Sequence, residues 1–236
     1  KGAALLSFAL AQAAASEAIE EAGIDGAFEG PLFLAAPPVE LEWQHRFAID
    51  ADSASTLEPG YPRLLENCRA SSHGNLFDYA LFGSIADHLQ ERFGTSGLPV
   101  TLSTACASGA TAIQLGVEAI RRGETERALS IGTDGSVTAE ALVRFSLLSA
   151  LSTQNDKPQK AAKPFSKDRD GFVMAEGSAA LVLESLESAV KRGAKVLGII
   201  KGCGEKADDF HRTRSKPDAS PAIGAVRAAL DDARVD

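Results

Sequence analysis

Apolar residues recur at helical spacing from Ala3 to Ala22, with Leu5, Leu6, Ala9, Ala13 and Ile19 forming the face expected to meet a core and Gly23 closing the helix. Pro31 to Ala36, PLFLAA, predicts a short strand. Between Pro37 and Ser72 the pattern fades, broken by Pro37, Pro38, Pro59, Gly60 and Pro62, and Trp43 and His45 read there as surface or packing residues. Leu76 to Phe93 predicts a second helix ending at Gly94, with His73 as a turn or capping residue before it and His88 on its solvated side. An extended apolar run, Leu98 to Leu102, enters an Ala-rich helical pattern that continues to Gly123. Ala128 to Asp134 then predicts a buried strand, Ala139 to Leu148 a helix, and Leu181 to Glu184 and Val196 to Ile200 two strands flanking a helix at Ser185 to Arg192. Strands alternating with helices, several of them apolar on both faces, predict an α/β layered fold with much parallel pairing. One echo is internal: AIEEAGID, Ala18 to Asp25, matches ALDDARVD, Ala229 to Asp236, with Gly23 facing Arg234, which suggests a duplicated fold.

The chemistry concentrates at TLSTACASGATAIQLGVEAIRRG, Thr101 to Gly123, centred on Cys106. A cysteine at a strand-to-helix corner is presented outward, and the unpaired N–H groups and dipole of the helix start favour its thiolate. Ala105, Ala107, Ser108 and Gly109 leave room around the sulfur. The helix behind it carries Ile113, Val117 and Ile120 on one face, Ala112, Leu115, Gly116 and Ala119 beside them, and only a narrow polar stripe of Gln114, Glu118 and Arg121, so it is expected to be buried. Spacing alone leaves two readings of Cys106 open, a reactive thiol and a small buried hydrophobe packed at a helix start.

Composition narrows the classes. With 236 residues, 44% hydrophobic and 24% charged, the chain can bury one large core or two small ones. A formal net charge of -8 without a basic run argues against nucleic acid. The three cysteines, Cys68, Cys106 and Cys203, lie far apart and without metal-ligand spacing, which argues against a disulfide framework or a zinc site and fits a reducing, cytoplasmic compartment. The opening stretch, broken by Ser7, Gln12 and Ser16 and running into Glu17, Glu20 and Glu21, does not read as a secretory signal, and no apolar run is long enough to insert in a membrane.

Three stretches, TACASGATAI, then ALSTQNDKPQKAAKPFSKDRDGFVMAEGSAALVLE from Ala150 to Glu184, then KRGAKVLGIIKGCG, closely resemble the β-ketoacyl-acyl-carrier-protein synthases of the elongating type (KAS I/II), within the thiolase-like superfamily. The resemblance is strong from about Leu98 to Gly204 and poor between Pro37 and Ser72. It implies a thiolase-like layered αβαβα fold, represented here mainly by its N-terminal half: residues 1–204 as that half, incomplete at its start, and 205–236 as the start of the C-terminal half. It implies Cys106 as the nucleophile that takes an acyl chain from the phosphopantetheine arm of acyl carrier protein. A malonyl carrier then loses carbon dioxide and condenses with that thioester to a 3-ketoacyl chain two carbons longer, and the Cys106 N–H supplies one oxyanion donor. No cofactor is expected to be resident, because the phosphopantetheine arrives on the carrier.

Further residues take their roles from the same resemblance. Phe145 falls where the family places an aromatic in the acyl channel, although a helical phenylalanine also reads as plain core. His211 and Thr213, in DDFHRT, fall near the pantetheine entrance, with Lys216 and Ala219 departing from the family pattern and His211 not expected to be the base. The RDGF turn, Arg169 to Phe172, reads as an ion-paired loop shared by Glu176. The acyl and malonyl carriers are the expected partners, with Arg63 and Arg69 as candidate docking residues and Ser149 standing where the family often has arginine, and a homodimer is expected. The family's HGT and GH histidines, its lysine and its Gly/Phe-rich loop are not found here, so a segment of a longer enzyme is expected, with a natural half that needs a partner as the alternative, and condensation by this polypeptide is not expected. A non-catalytic partner or carrier-binding subunit and a coenzyme A-dependent thiolase are the alternatives; the intact Cys106 argues against the first and the KDRDGFV run against the second.

Overall fold

The computed structural model describes residues 2–38, 40–52, 55–70, 73–211 and 213–235. In chain order its helices are α1 (Ala3–Glu21), α2 (Trp43–Asp50), α3 (Tyr61–Arg69), α4 (Phe77–Ala80), α5 (Ser84–Phe93), α6 (Ser108–Arg121), α7 (Ala139–Leu147), α8 (Leu186–Lys191) and α9 (Ser220–Ala233). The strands are β1 (Leu32–Ala35), β2 (Val100–Leu102), β3 (Arg127–Asp134) and β4 (Gly177–Glu184). They form one sheet in the order β2-β1-β3-β4. β1 runs parallel to both β2 and β3, and β4 is antiparallel to β3 in register from Arg127 against Glu184 to Asp134 against Gly177.

Alternation along β1 builds two cores. Leu32 and Leu34 enter a cluster with Ala11, Ala15 and Ile19 of α1 and Ile85 and Leu89 of α5, whereas Phe33 and Ala35 meet Ala112 and Ala119 of α6. A strand covered on both faces must be apolar throughout, and all four β1 residues are buried. The result is helix, sheet, helix, the layered α/β arrangement expected. Gly116 lets α6 approach the sheet: a Cβ there would stand 2.7 Å from Leu183 Cδ1 and 2.8 Å from Ser130 Oγ. That same Ser130 hydroxyl donates to the Ala112 carbonyl at 2.9 Å and fastens α6 to β3.

Four expectations need correction. The buried stripe of α1 is Ser7, Ala11, Ala15 and Ile19, while Leu5, Ala9 and Ala13 face outward. Small residues permit a close helix-sheet approach, and Ser7 is drawn inside because its hydroxyl accepts the Gly135 N–H at 2.8 Å and its carbonyl accepts Thr133 Oγ1 at 2.8 Å. The helix expected from Leu76 to Phe93 is interrupted: a 3-10 turn at Gly74–Leu76 and α4 precede an extended Leu81 (φ -94°, ψ 130°), and α5 begins only after Gly83. Glycine inside the run lowers the cost of that break. Val196–Ile200 forms no ladder with any described residue. Its large side chains are 39–70% exposed, and an apolar run without a partner strand is only an extended segment. Just beyond it, Gly202 and Gly204 lie so close to the α9 backbone at Ala225, Ala229 and Ala233 that no side chain would fit.

Among the described residues, hydrogen bonds hold the RDGF turn and no ion pair does. Asp170 accepts from Ser152 Oγ at 2.8 Å and from the Thr153 N–H at 3.1 Å, which holds its carboxyl below the usual range. Arg169 Nη1 donates to the Ser166 carbonyl at 2.7 Å, and Glu176 accepts the Val137 N–H at 3.1 Å. Turn backbone must find partners, whereas exposed opposite charges gain little by meeting in water.

The echoed helix ends adopt the same geometry. Gly23 N–H bonds Glu20 O and Ile24 N–H bonds Ile19 O; Arg234 N–H bonds Asp231 O and Val235 N–H bonds Leu230 O. Gly23 and Arg234 both lie in the left-handed region, at φ +65° and +54°. The last residue of the echo, Asp236, lies outside the described residues. No described helix is long and apolar enough to cross a membrane.

Candidate active site

β2 delivers the chain through Ser103 and Thr104 into a 3-10 turn, Ala105–Ala107, which runs directly into α6. Cys106 occupies the middle of that turn and is exposed. Among the described residues nothing buries its sulfur, which is the position the first of the two readings of Cys106 needs. Ala105 takes a φ of +53°, a left-handed conformation rare without glycine, so the corner is sharp and strained.

Hydroxyls hold the corner. Ser108 Oγ accepts the Thr104 N–H at 2.8 Å and donates to the Ala105 carbonyl at 2.6 Å. Thr104 Oγ1 meets Thr111 Oγ1 at 2.9 Å, and Thr111 Oγ1 also lies 3.1 Å from Glu205 Oε2, tying the first turn of α6 to the segment after β4 and α8. The Cys106 N–H has no hydrogen-bond acceptor among the described residues. An exposed sulfur beside a free N–H offers both a nucleophile and a donor for an oxygen that gains negative charge. Sequence reasoning placed the cysteine and gave Ser108 only a space-leaving part, but missed the bonds made by Ser108, Thr104, Thr111 and Glu205; the local signal was Thr104 four residues before Ser108 and Thr111 four residues after Ala107.

The other sequence candidates have partners of their own. Phe145 sits on α7, half-buried, its ring edge-on to Phe172. His211 and Thr213 are exposed and contact each other, with the Thr213 N–H donating to His211 Nδ1 at 3.1 Å. Among the described residues, no hydrogen bond or ring contact joins Cys106 to Phe145, His211 or Thr213. Arg63 is turned inward, its Nη2 donating to the Asp50 carbonyl at 2.7 Å, while Arg69 remains exposed. The second cysteine near α6, Cys203, differs in kind: burial pushes its thiol pKa up, against the opposing pull of Arg121. Among the described residues no cluster of three or more His, Cys, Asp or Glu side chains is arranged to hold a metal ion.

Comparison with known proteins agrees with this geometry. The chain is 34% identical over 225 residues to the tetracenomycin polyketide synthase ketoacyl synthase alpha subunit of Streptomyces glaucescens, a match over 95% of this chain and 52% of that protein. It is 34% identical to 3-oxoacyl-(acyl-carrier-protein) synthase 2 of Vibrio cholerae, over 76% of this chain and 43% of that one. A solved β-ketoacyl synthase from Burkholderia phymatum superposes with a TM-score of 0.79 at 29% identity, over 98% of this chain and 54% of that structure. A second, a type II polyketide synthase acyl-carrier protein in complex with its ketosynthase, superposes at 0.75 and 26% identity, over 98% of this chain and 56% of the other. The chain thus spans about half the length of the relatives it matches. Residues 45–189, more than half of the chain and including the Cys106 corner, match the family model described as β-ketoacyl synthase, N-terminal domain, and the chain belongs to that family.

Proposed function

We propose that this chain is the nucleophile-bearing part of a β-ketoacyl-acyl-carrier-protein synthase, with Cys106 as the acylated residue. The observation that carries the reading is the exposed Cys106, with its unpartnered N–H, at the strand-to-helix corner of a chain of this family. In the first half-reaction Cys106 Sγ attacks the thioester carbonyl of an acyl chain on phosphopantetheine. A new C–S bond forms, the C–S bond to pantetheine breaks, and the released thiolate takes up a proton. The Cys106 N–H faces the oxygen that becomes charged in the tetrahedral intermediate. In the second, a malonyl carrier loses carbon dioxide, its carbanion attacks the Cys106 thioester, and the Cys106 thiolate leaves. This chain has neither an HGT nor a GH motif, so decarboxylation is assigned to groups outside it.

Acyl carrier protein is the proposed donor, supported by the related ketosynthase solved with its own carrier. A dimer with a second copy is proposed as well. Among the described residues no strand pairs with the outer edge of β2, and Leu98 beside it is 89% exposed.

The test is intact mass after incubation with acyl carrier protein loaded with a fatty acyl chain. An added acyl mass that disappears in Cys106→Ala is the expected outcome. Carrier binding without any added mass would leave a carrier-binding subunit and end the enzyme reading for this polypeptide.

A further inference from the structure

We infer that Ser108 is a positioning residue that aims the Cys106 N–H, through the peptide plane that joins Ala105 to Cys106. The inference rests on the proposed acyl transfer to Cys106. It begins from one bond: the Ser108 hydroxyl donates to the Ala105 carbonyl at 2.6 Å. The same carbonyl accepts the Ser108 N–H, so it is held by two donors of one residue. That carbonyl and the Cys106 N–H belong to the same peptide unit. A trans peptide is planar, with its C=O and N–H pointing in opposite directions, and no peptide bond among the described residues is cis. Fixing the carbonyl toward Ser108 therefore fixes the Cys106 N–H on the opposite side, away from the α6 backbone, where it has no acceptor.

The same hydroxyl accepts the Thr104 N–H at 2.8 Å, so one oxygen spans the left-handed Ala105 from both sides. Without that bridge, Ala105 at φ +53° has a lower-energy conformation available, and rotating it swings the whole peptide plane. The Ser108 hydroxyl bonds the backbone on either side of Ala105 and makes no hydrogen bond to the sulfur; it acts through Ala105. Hydroxyl chemistry at position 108 is thus required for the direction of a donor and not for exposure of the thiol.

Two reactions of the same sulfur separate these roles. Alkylation by iodoacetamide is a displacement that creates no oxyanion, whereas acyl transfer from a short-chain pantetheine thioester passes through a tetrahedral oxyanion that needs the Cys106 N–H. Both rates are to be measured by mass mapping at Cys106, with the exposed Cys68 as reference in the same sample. In Ser108→Ala the acyl transfer rate is expected to fall about tenfold to a hundredfold. Alkylation of Cys106 relative to Cys68 is expected to stay within about twofold, and Ser108→Thr, which keeps a hydroxyl, restores acyl transfer.

Acyl transfer by Ser108→Ala at the unsubstituted rate overturns the inference, as does failure of Ser108→Thr to restore it. A parallel fall in both reactions also overturns it, since Ser108 would then govern access to the sulfur. If the unsubstituted protein is alkylated but never acylated, the proposed acyl transfer itself fails, a result distinct from the others.

Discussion

The Phe145 ring stands edge-on to Phe172, centroids 5.1 Å apart and planes at 82°, so that α7 braces the strand-like return in which Phe172 pairs with Leu151. Phe172 N–H donates to the Ala150 carbonyl and Phe172 O accepts the Ser152 N–H, both at 3.0 Å. This contact assigns Phe145 a packing role beside any role in an acyl channel. Phe145→Ala is expected to cost about 1–2 kcal/mol, less than a fully buried phenylalanine because the site is only half-buried. A double-mutant cycle with Phe172→Ala, followed by urea unfolding, should return a coupling of about 0.5–1.5 kcal/mol. Zero coupling would reduce the pair to coincidence.

The two echoed helix ends make a second prediction. Arg234 sits at the left-handed position that Gly23 fills in α1, and it carries a Cβ penalty that glycine avoids. Arg234→Gly should stabilise by about 0.5–1 kcal/mol, and Gly23→Arg should destabilise by about 1 kcal/mol. Opposite shifts in thermal midpoint are the readout; shifts of the same sign would contradict the equivalence of the two ends.

Helix α6 has no room for a side chain at Gly116, where Leu183, Ser130 and Ala128 converge. Gly116→Ala is expected to lose about 1–3 kcal/mol in spite of alanine's better helix propensity. A neutral or stabilising effect in denaturant unfolding would show that α6 can move off the sheet without penalty.

Glu184 predicts a pH dependence. Burial alone would raise its carboxyl pKa, but hydrogen bonds from Arg192 and Ser188 and the charges of Arg192 and Arg127 outweigh that and hold it below the usual range. Arg192 donates to Glu184 Oε2 at 2.8 Å and to the Ala22 carbonyl at 2.7 Å, so the pair also pins the end of α1. Because folding depresses this pKa, the stabilisation is complete above the unfolded value, about 4.3, and is lost as pH falls through the folded value. Glu184→Gln should cost about 2 kcal/mol at pH 7 and weaken the acid-side loss of stability. Equal pH slopes for the variant and the unsubstituted protein would refute the assignment.

What the sequence determined by itself was everything carried by local pattern: the helical periods of α1, α6 and α7, the apolar runs of β1 and β3, and the corner that presents Cys106. Each depends on backbone propensity and on side chains within a few residues of one another. The inward face of α1 was misread because Ser7 is buried by partners at Thr133 and Gly135, more than a hundred residues away. Val196–Ile200 was misread because strand identity lies in a ladder with another segment, which no side-chain pattern contains. The aim of the Cys106 N–H depends on the φ of Ala105 and on where the Ser108 hydroxyl points, and residue names state neither. Tertiary structure decided these three because hydrogen bonds and close packing choose among conformations that local propensity leaves nearly equal in energy.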